Sequence, residues 1–348
     1  MARPLLQISP IGQAKTTKIF LVGNVSTRVR TYRRHNLHHE LNCCGPTLAC
    51  CVIEALFRIL LFGAKFLTPA YLMTSGFGIS IRVRDIRVNT WAELNEELFA
   101  DTWNQSIGRF RSDFVYKGMC DARWTLSTTL MRLGGNYHEL EAHLLRNFKK
   151  YATHSAVPTN SEWNWLAVAQ HHGLPTRLLD WTYSPYVALH FATDNVELFD
   201  TDGVIWAVNF VKVHELLPRR LRTLLRRERS NSFAVETLGE AASNLAALEK
   251  LSHNEFALFF ETPALDARIV NQYALFSLMS SPGTRLDEWL NKQGEDFARR
   301  IIIPADLKWE TRDKLDQANI TERVLFPGLD GLSRWLRRQY LPREEFLK

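Results

Sequence analysis

The run from Trp165 to Ala192 forces the chain through a helix end, a turn, an extended segment and a new helix start. No other stretch constrains the fold as tightly. Ser161-Glu162-Trp163 opens a helix whose apolar spacing carries to His172. Gly173 then stands where a left-handed C-terminal cap is expected, and Pro175 prevents continuation. Thr176–Trp181 reads as extended. Ser184-Pro185 places an N-cap serine before a proline at the first helical position, and the helix carries Val187, Ala188, Leu189 and Phe191. Gln170, His171, Arg177, Asp180 and Trp181 thus gather where rigid elements meet, which is where sites are usually built. They supply an amide, a titratable ring, a cation, an acid and a stacking face. The same residues also admit a purely structural reading, with Arg177 paired to Asp180 and Trp181 in the core.

Elsewhere the pattern mixes strands and helices without a regular βαβ rhythm, which predicts an α+β fold. Asn89-Thr90-Trp91-Ala92-Glu93-Leu94 offers an N-cap residue with an acid in the first turn of a helix running to about Trp103, and Asp113–Tyr116 alternates as a strand. Asn136–Tyr151 is an amphipathic helix with Leu140, Leu144, Leu145 and Phe148 on one face. Val204–Phe210 follows an Asp-Gly turn as a strand. A basic helix is expected over 215–229, further helices to about 258, and strands at Ala274–Met279 and Arg300–Ile303.

Charge divides the chain. Residues 1–72 hold nine Lys/Arg and two Asp/Glu, a charge of +7, while the remainder holds 34 against 35. The net +6 therefore belongs to a basic, poorly structured extension (residues 1–72), and one domain is expected over 86–340. Translation from Met73 is an alternative reading of that segment. The apolar stretch Gly45–Leu72 is broken by Glu54, Arg58 and Lys65, which argues against a membrane span. Cys43, Cys44, Cys50 and Cys51 form adjacent pairs with no zinc spacing, and the main domain has one thiol, Cys120. These features predict no metal, no membrane partner and a cytoplasmic location. There is no Walker A loop, no G-x-G-x-x-G and no nucleophile elbow. The arginines between Arg219 and Arg229 could contact nucleic acid. A solvated helix face is the favoured reading, because Glu215, Glu228 and Glu236 dilute the charge.

Gln170-His171-His172-Gly173-Leu174-Pro175-Thr176-Arg177-Leu178-Leu179-Asp180-Trp181-Thr182, continuing through Ser184-Pro185 to Phe191-Ala192, closely resembles the central motif of FRG domains. Further landmarks of that family occur in order. They are Phe114–Gly118, Trp124-x-Leu126 with Arg132, Glu141 and Phe148, Arg268-Ile269-x-Asn271-Gln272-x-Ala274-Leu275-Phe276, and Leu325–Leu332. The resemblance spans about 105–335. It departs at the naming tripeptide, here Tyr116-Lys117-Gly118, where lysine keeps the charge but loses the bidentate fork. Ala274 also replaces a glycine.

FRG domains are grouped loosely with the ADP-ribosyltransferase-like fold. The resemblance therefore implies a split sheet with NAD bound in a cleft between two small sheets. It implies an ADP-ribosyltransferase or NAD glycohydrolase, acting as a toxin or defence effector on an unidentified macromolecular acceptor. The alternative is a non-catalytic nucleotide- or protein-binding module. In this scheme Lys117 or Arg177 takes the pyrophosphate, Trp181 or Tyr183 stacks on a ring, and Gln170 and Ser184 contact the ligand. Gln272 stands where a glutamate would be expected, so the acid would be Asp180 or Glu261, with His171 available for proton transfer. The single-site expectation is that Lys117, Gln170, His171, Arg177, Asp180, Trp181 and Gln272 converge.

Overall fold

The computed structural model describes residues 82–152 and 161–343. The chain divides into two units, Met1–Gly76 and Phe77–Lys348, and every described residue belongs to the second. The expected basic extension at 1–72 lies outside the described residues.

Ten strands are described: β1 (Arg84–Arg87), β2 (Trp103–Asn104), β3 (Arg109–Phe110), β4 (Phe114–Met119), β5 (Leu179–Thr182), β6 (Gly203–Asn209), β7 (Phe233–Ala234), β8 (Ala257–Glu261), β9 (Ala274–Met279) and β10 (Ala298–Ile303). Eight form one mixed sheet in the order β1-β10-β6-β4-β5-β9-β8-β7, and β2 and β3 form a separate hairpin. The fold is α+β, as the pattern predicts. The sheet is nevertheless almost two. β4 pairs with β6 along its whole length, from Phe114↔Asn209 to Met119↔Val204. It meets β5 at one position only, Tyr116↔Thr182. Past that joint the two strands part, leaving a four-stranded leaf on each side.

The helices fill in along the chain. α1 (Trp91–Phe99), α2 (Tyr137–Tyr151), α3 (Glu162–His171) and α4 (Pro185–Ala192) come first. Four more follow: α5 (Phe210–Glu215), α6 (Arg219–Glu228), α7 (Val235–Ala241) and α8 (Leu245–Glu249). Then come α9 (Ala267–Asn271), α10 (Leu286–Gln293), α11 (Lys308–Gln317), α12 (Glu322–Leu325) and α13 (Leu329–Gln339). The predicted caps form: Thr90 accepts from Glu93 N, Ser161 from Asn164 N and Ser184 from Val187 N. Gly173 takes its left-handed conformation, at φ +81°.

Strand alternation sorts the core into three clusters. Val115, Leu179, Trp181, Trp206, Phe259 and Leu275 share one face, and a single cluster runs beneath both leaves. On the other face the clusters separate. Tyr116, Ile205 and Ala207 pack against α1 and α4, while Phe260, Phe276 and Leu278 pack against α3, α7 and α8. The gap between these two helical layers lies over the β4–β5 joint. α4 can press onto β4 only because residue 118 is glycine. A Cβ there would stand 1.7 Å from the Ala188 carbonyl oxygen.

Three sequence expectations are corrected. The first helix ends at Phe99 rather than near Trp103, because Asp101 turns the chain at φ +60°. The basic helix begins at Arg219, after Pro218, with α5 a separate element before it. The stretch expected to stay helical to about 258 already contains β7 at Phe233–Ala234, and β8 begins at Ala257. β8 is buried on both faces, so its continuous apolar run carries no alternation to mark it as a strand.

Candidate functional site

A cleft of about 840 Å3 opens where β4 and β5 part, large enough for a dinucleotide. One wall comes from the end of β4 and the segment after it, with Lys117, Cys120, Trp124 and Arg132. A second comes from the end of α3 and from β5, with Gln170, His171, Asp180 and Trp181. The rest comes from the loop after α4 and from α9 and its C-cap, with Asp194, Asn195, Arg268 and Gln272.

Local physics fixes each group. Alternation along β5 sends Leu179 and Trp181 into the core beneath the sheet and leaves Asp180 exposed. The Asp180 carboxylate accepts from Gln170 Nε2 at 2.9 Å. Gln170 is itself oriented, because Thr176 Oγ1 donates to its Oε1 at 2.6 Å and so settles which end of the amide faces Asp180. Lys117 reaches across the fork and donates to the Asp180 backbone carbonyl at 3.1 Å. Burial in the cleft lowers the Lys117 pKa against the pull of the Asp180 carboxylate, and nearby Arg132 lowers it further. Asp194 is shifted upward by burial. Cys120 donates to Asp194 Oδ1 at 3.7 Å, and burial raises its own pKa. His171 Nε2 meets Asp266 Oδ2 at 2.8 Å, while Asp266 Oδ1 caps α9 by accepting from Ile269 N. Arg268 lies over the Phe326 ring at 5.1 Å, and Trp124 is 49% exposed.

Six of the seven residues expected to converge do line this cleft: Lys117, Gln170, His171, Asp180, Trp181 and Gln272. Arg177 does not. It is 5% exposed, and its Nε donates to Glu141 Oε2 at 2.7 Å while Nη1 donates to the Ser280 carbonyl at 3.0 Å. Its partners are Glu141 and Glu249 rather than Asp180, and they hold the loop before β5 to α2 and α8.

Trp181 is buried at 3%, with Nε1 bonded to Ser277 Oγ at 2.7 Å, so its indole is core and not a stacking platform. Tyr183 and Ser184 do not line the cleft. Tyr183 donates to Glu261 Oε1 at 2.8 Å, and Ser184 is spent capping α4. The Gln272 side-chain amide donates to the Leu325 carbonyl at 3.0 Å, and the Gln272 backbone carbonyl accepts from Thr182 Oγ1 at 2.7 Å. The residues that sequence reasoning did not nominate are Trp124, Arg132, Asp194, Asn195, Asp266 and Arg268. Trp124, Arg132 and Arg268 were visible as family landmarks. Asp194-Asn195 was visible as the polar pair after the α4 pattern.

On α6, Arg220 donates to the Glu240 carbonyl and Arg227 pairs with Glu228 and Glu240, which neutralises part of the basic face. No helix among the described residues is long and apolar enough to cross a membrane. Nor is any group of three or more His, Cys, Asp or Glu among them placed to hold a metal ion.

A family model of the FRG domain matches residues 112–201. The chain therefore carries an FRG domain. The matched part runs from β4 past α4, so it supplies Lys117, Arg132, Gln170, His171, Asp180 and Asp194, while Arg268 and Gln272 come from beyond it. No curated protein and no solved structure matches the chain.

Proposed function

We propose that the cleft binds NAD and that the domain cleaves its nicotinamide–ribose bond. The observation that carries this reading is the placing of an oriented carboxylate, Asp180, in one dinucleotide-sized cleft with three cationic side chains, Lys117, Arg132 and Arg268. The two halves of the chemistry need opposite charges. A pyrophosphate is held by cations, arginine giving a bidentate fork and lysine a point charge. Departure of nicotinamide leaves an oxocarbenium-like ribose, which a fixed carboxylate stabilises because the charge it meets develops only in the transition state. Trp124, half exposed in the wall, offers a stacking face for a base. The parting of β4 from β5 supports the reading by opening a cleft within one eight-stranded sheet, rather than between the two small sheets that the family resemblance implies.

Release of nicotinamide by the full chain tests the reading. Asp180→Asn should lower the rate about 10²–10³-fold, by analogy with loss of one preorganised electrostatic partner. It should leave the melting temperature nearly unchanged, since the side chain is exposed. In cells, toxicity on overexpression that Asp180→Asn relieves would fit an effector role. NAD that is neither cleaved nor able to raise the melting temperature would sink the proposal. One observation favours a second reading, nucleotide binding without turnover. Gln272, where the resemblance places a carboxylate, is an amide tied to the Leu325 carbonyl. That reading predicts a thermal shift with NAD and no nicotinamide.

A further inference from the structure

His171 in the cleft wall and Asp266 beside it form a second pair of groups that NAD binding leaves unused. His171 ends α3, and its ring lines the cleft with the side chain 11% exposed. Its Nε2 is 2.8 Å from Asp266 Oδ2. Asp266 cannot easily turn away, because its other oxygen caps α9 at Ile269 N, 3.1 Å away. Burial would raise the Asp266 pKa, but the Ile269 amide and His171 hold it below its ordinary value, so it stays a carboxylate. A carboxylate beside Nε2 fixes the proton of a neutral imidazole on that nitrogen. The lone pair is then on Nδ1, which makes no hydrogen bond among the described residues. Nucleophile-activating bases share this arrangement, in which a third group orients the ring.

We propose that His171, positioned by Asp266, is the general base that activates water in the cleft, which makes the domain an NAD glycohydrolase. The inference rests on the NAD-cleaving reading above. As the C1′–N bond breaks, its electron pair leaves with nicotinamide. The water oxygen bonds C1′, and its proton passes to Nδ1 and then to solvent. NAD and water give ADP-ribose, nicotinamide and a proton, with no other reactant. The charged and titratable groups around His171 are its partner Asp266, the N-cap of α9, and in the cleft lining Arg268, His172 (ring centroids 5.3 Å apart), Asp180, Asp194, Lys117 and Arg132.

The test is free ADP-ribose formation by the full chain from pH 5 to 9, for wild type, His171→Ala and Asp266→Asn. Asparagine retains the helix cap, so this variant removes charge and spares the fold. The expected wild-type rate depends on a general base and so falls on the acid side of that pH range. His171→Ala should lose about 10²–10⁴-fold, the usual range for a general base, and lose that limb of the profile. Added imidazole should restore activity in proportion to its neutral fraction, which a merely structural histidine would not allow. Wild-type cleavage with an unaltered profile in His171→Ala overturns this proposal alone. An inert wild type overturns the NAD-cleaving reading as well.

Discussion

Replacing Arg177 should unfold the protein rather than silence it. The guanidinium is 5% exposed and bonds Glu141 through Nε, the Ser280 carbonyl and Glu249 through Nη1. Glu141 is 4% exposed and also accepts the Arg177 backbone N–H at 3.2 Å. Arg177→Ala leaves that carboxylate buried without its cation, a change that costs about 3–5 kcal/mol. At roughly 2–4 °C per kcal/mol for a domain of this size, the melting temperature should fall by about 6–20 °C. Arg177→Lys should fall between the two, because one ammonium cannot replace a fork that serves two carboxylates and a carbonyl. The double variant Arg177→Met/Glu141→Leu should recover much of the loss by removing both charges together. It should not recover all of it, since the Arg177 amide then lacks its acceptor, at about 1–3 kcal/mol. Urea titration with an unchanged m value reads all four proteins. If Arg177→Ala keeps its urea midpoint but loses NAD binding, the arginine is a ligand-binding group and its pairing with Glu141 does not hold the fold together.

Two glycines separate contact from conformation. Gly118→Ala should lose more than about 3 kcal/mol, because its Cβ meets helix backbone and neither element can yield; Gly173→Ala, at φ +81° with open space around it, should lose only about 1–2 kcal/mol. Urea melts in which Gly173→Ala proved the more damaging would refute that order. Acid should weaken the fold well above the carboxylate range. Burial holds His214 down to about 4, and its Nε2 accepts from the Phe259 amide at 2.9 Å, so it folds neutral. With the folded pKa below the unfolded value near 6.5, its contribution is complete above pH 6.5 and is lost as pH falls towards 4, by about 3 kcal/mol. His190, pushed down to about 3 by burial and by Arg312, adds a loss in the same direction. A stability that stays flat from pH 7 to 4 in urea melts would contradict both assignments. Trp124→Ala should weaken NAD binding by about 1–3 kcal/mol without moving the melting temperature, and equal affinity by calorimetry would remove the indole from the site.

Much of this fold could be read from the sequence where local chemistry and tertiary packing agree. Thr90, Ser161 and Ser184 cap the helices they announce, and Ala274–Met279 is a strand with the expected bounds. What could not be read depends on partners far away in sequence. Arg177 stands three residues from Asp180, yet its carboxylates come from positions 141 and 249. β8 is apolar on both faces and shows neither period. The site was legible as a set of residue types, and Lys117, Gln170, His171, Asp180 and Gln272 do line one cleft. The sequence did not show which of them face it freely. Gln272 has its amide committed to a carbonyl, and Trp181 presents its strand to the cleft but its indole to the core.

The central motif is best understood as three devices laid along one segment. Arg177, with Glu141 and Ser280, locks the turn that leads into β5. The period of two along β5 then puts Leu179 and Trp181 in the core shared by both leaves, so the joint at Thr182 is held from below by packing rather than by a full ladder. That leaves the upper face of the joint free, and Thr176 and Gln170 orient Asp180 there. A complete β4–β5 ladder would close the fork and bring the strands within about 5 Å along their length. The single pair at Tyr116 and Thr182 therefore has a consequence for the site. The missing ladder is what opens the cleft, and the buried arginine and tryptophan stabilise a sheet that forgoes those hydrogen bonds.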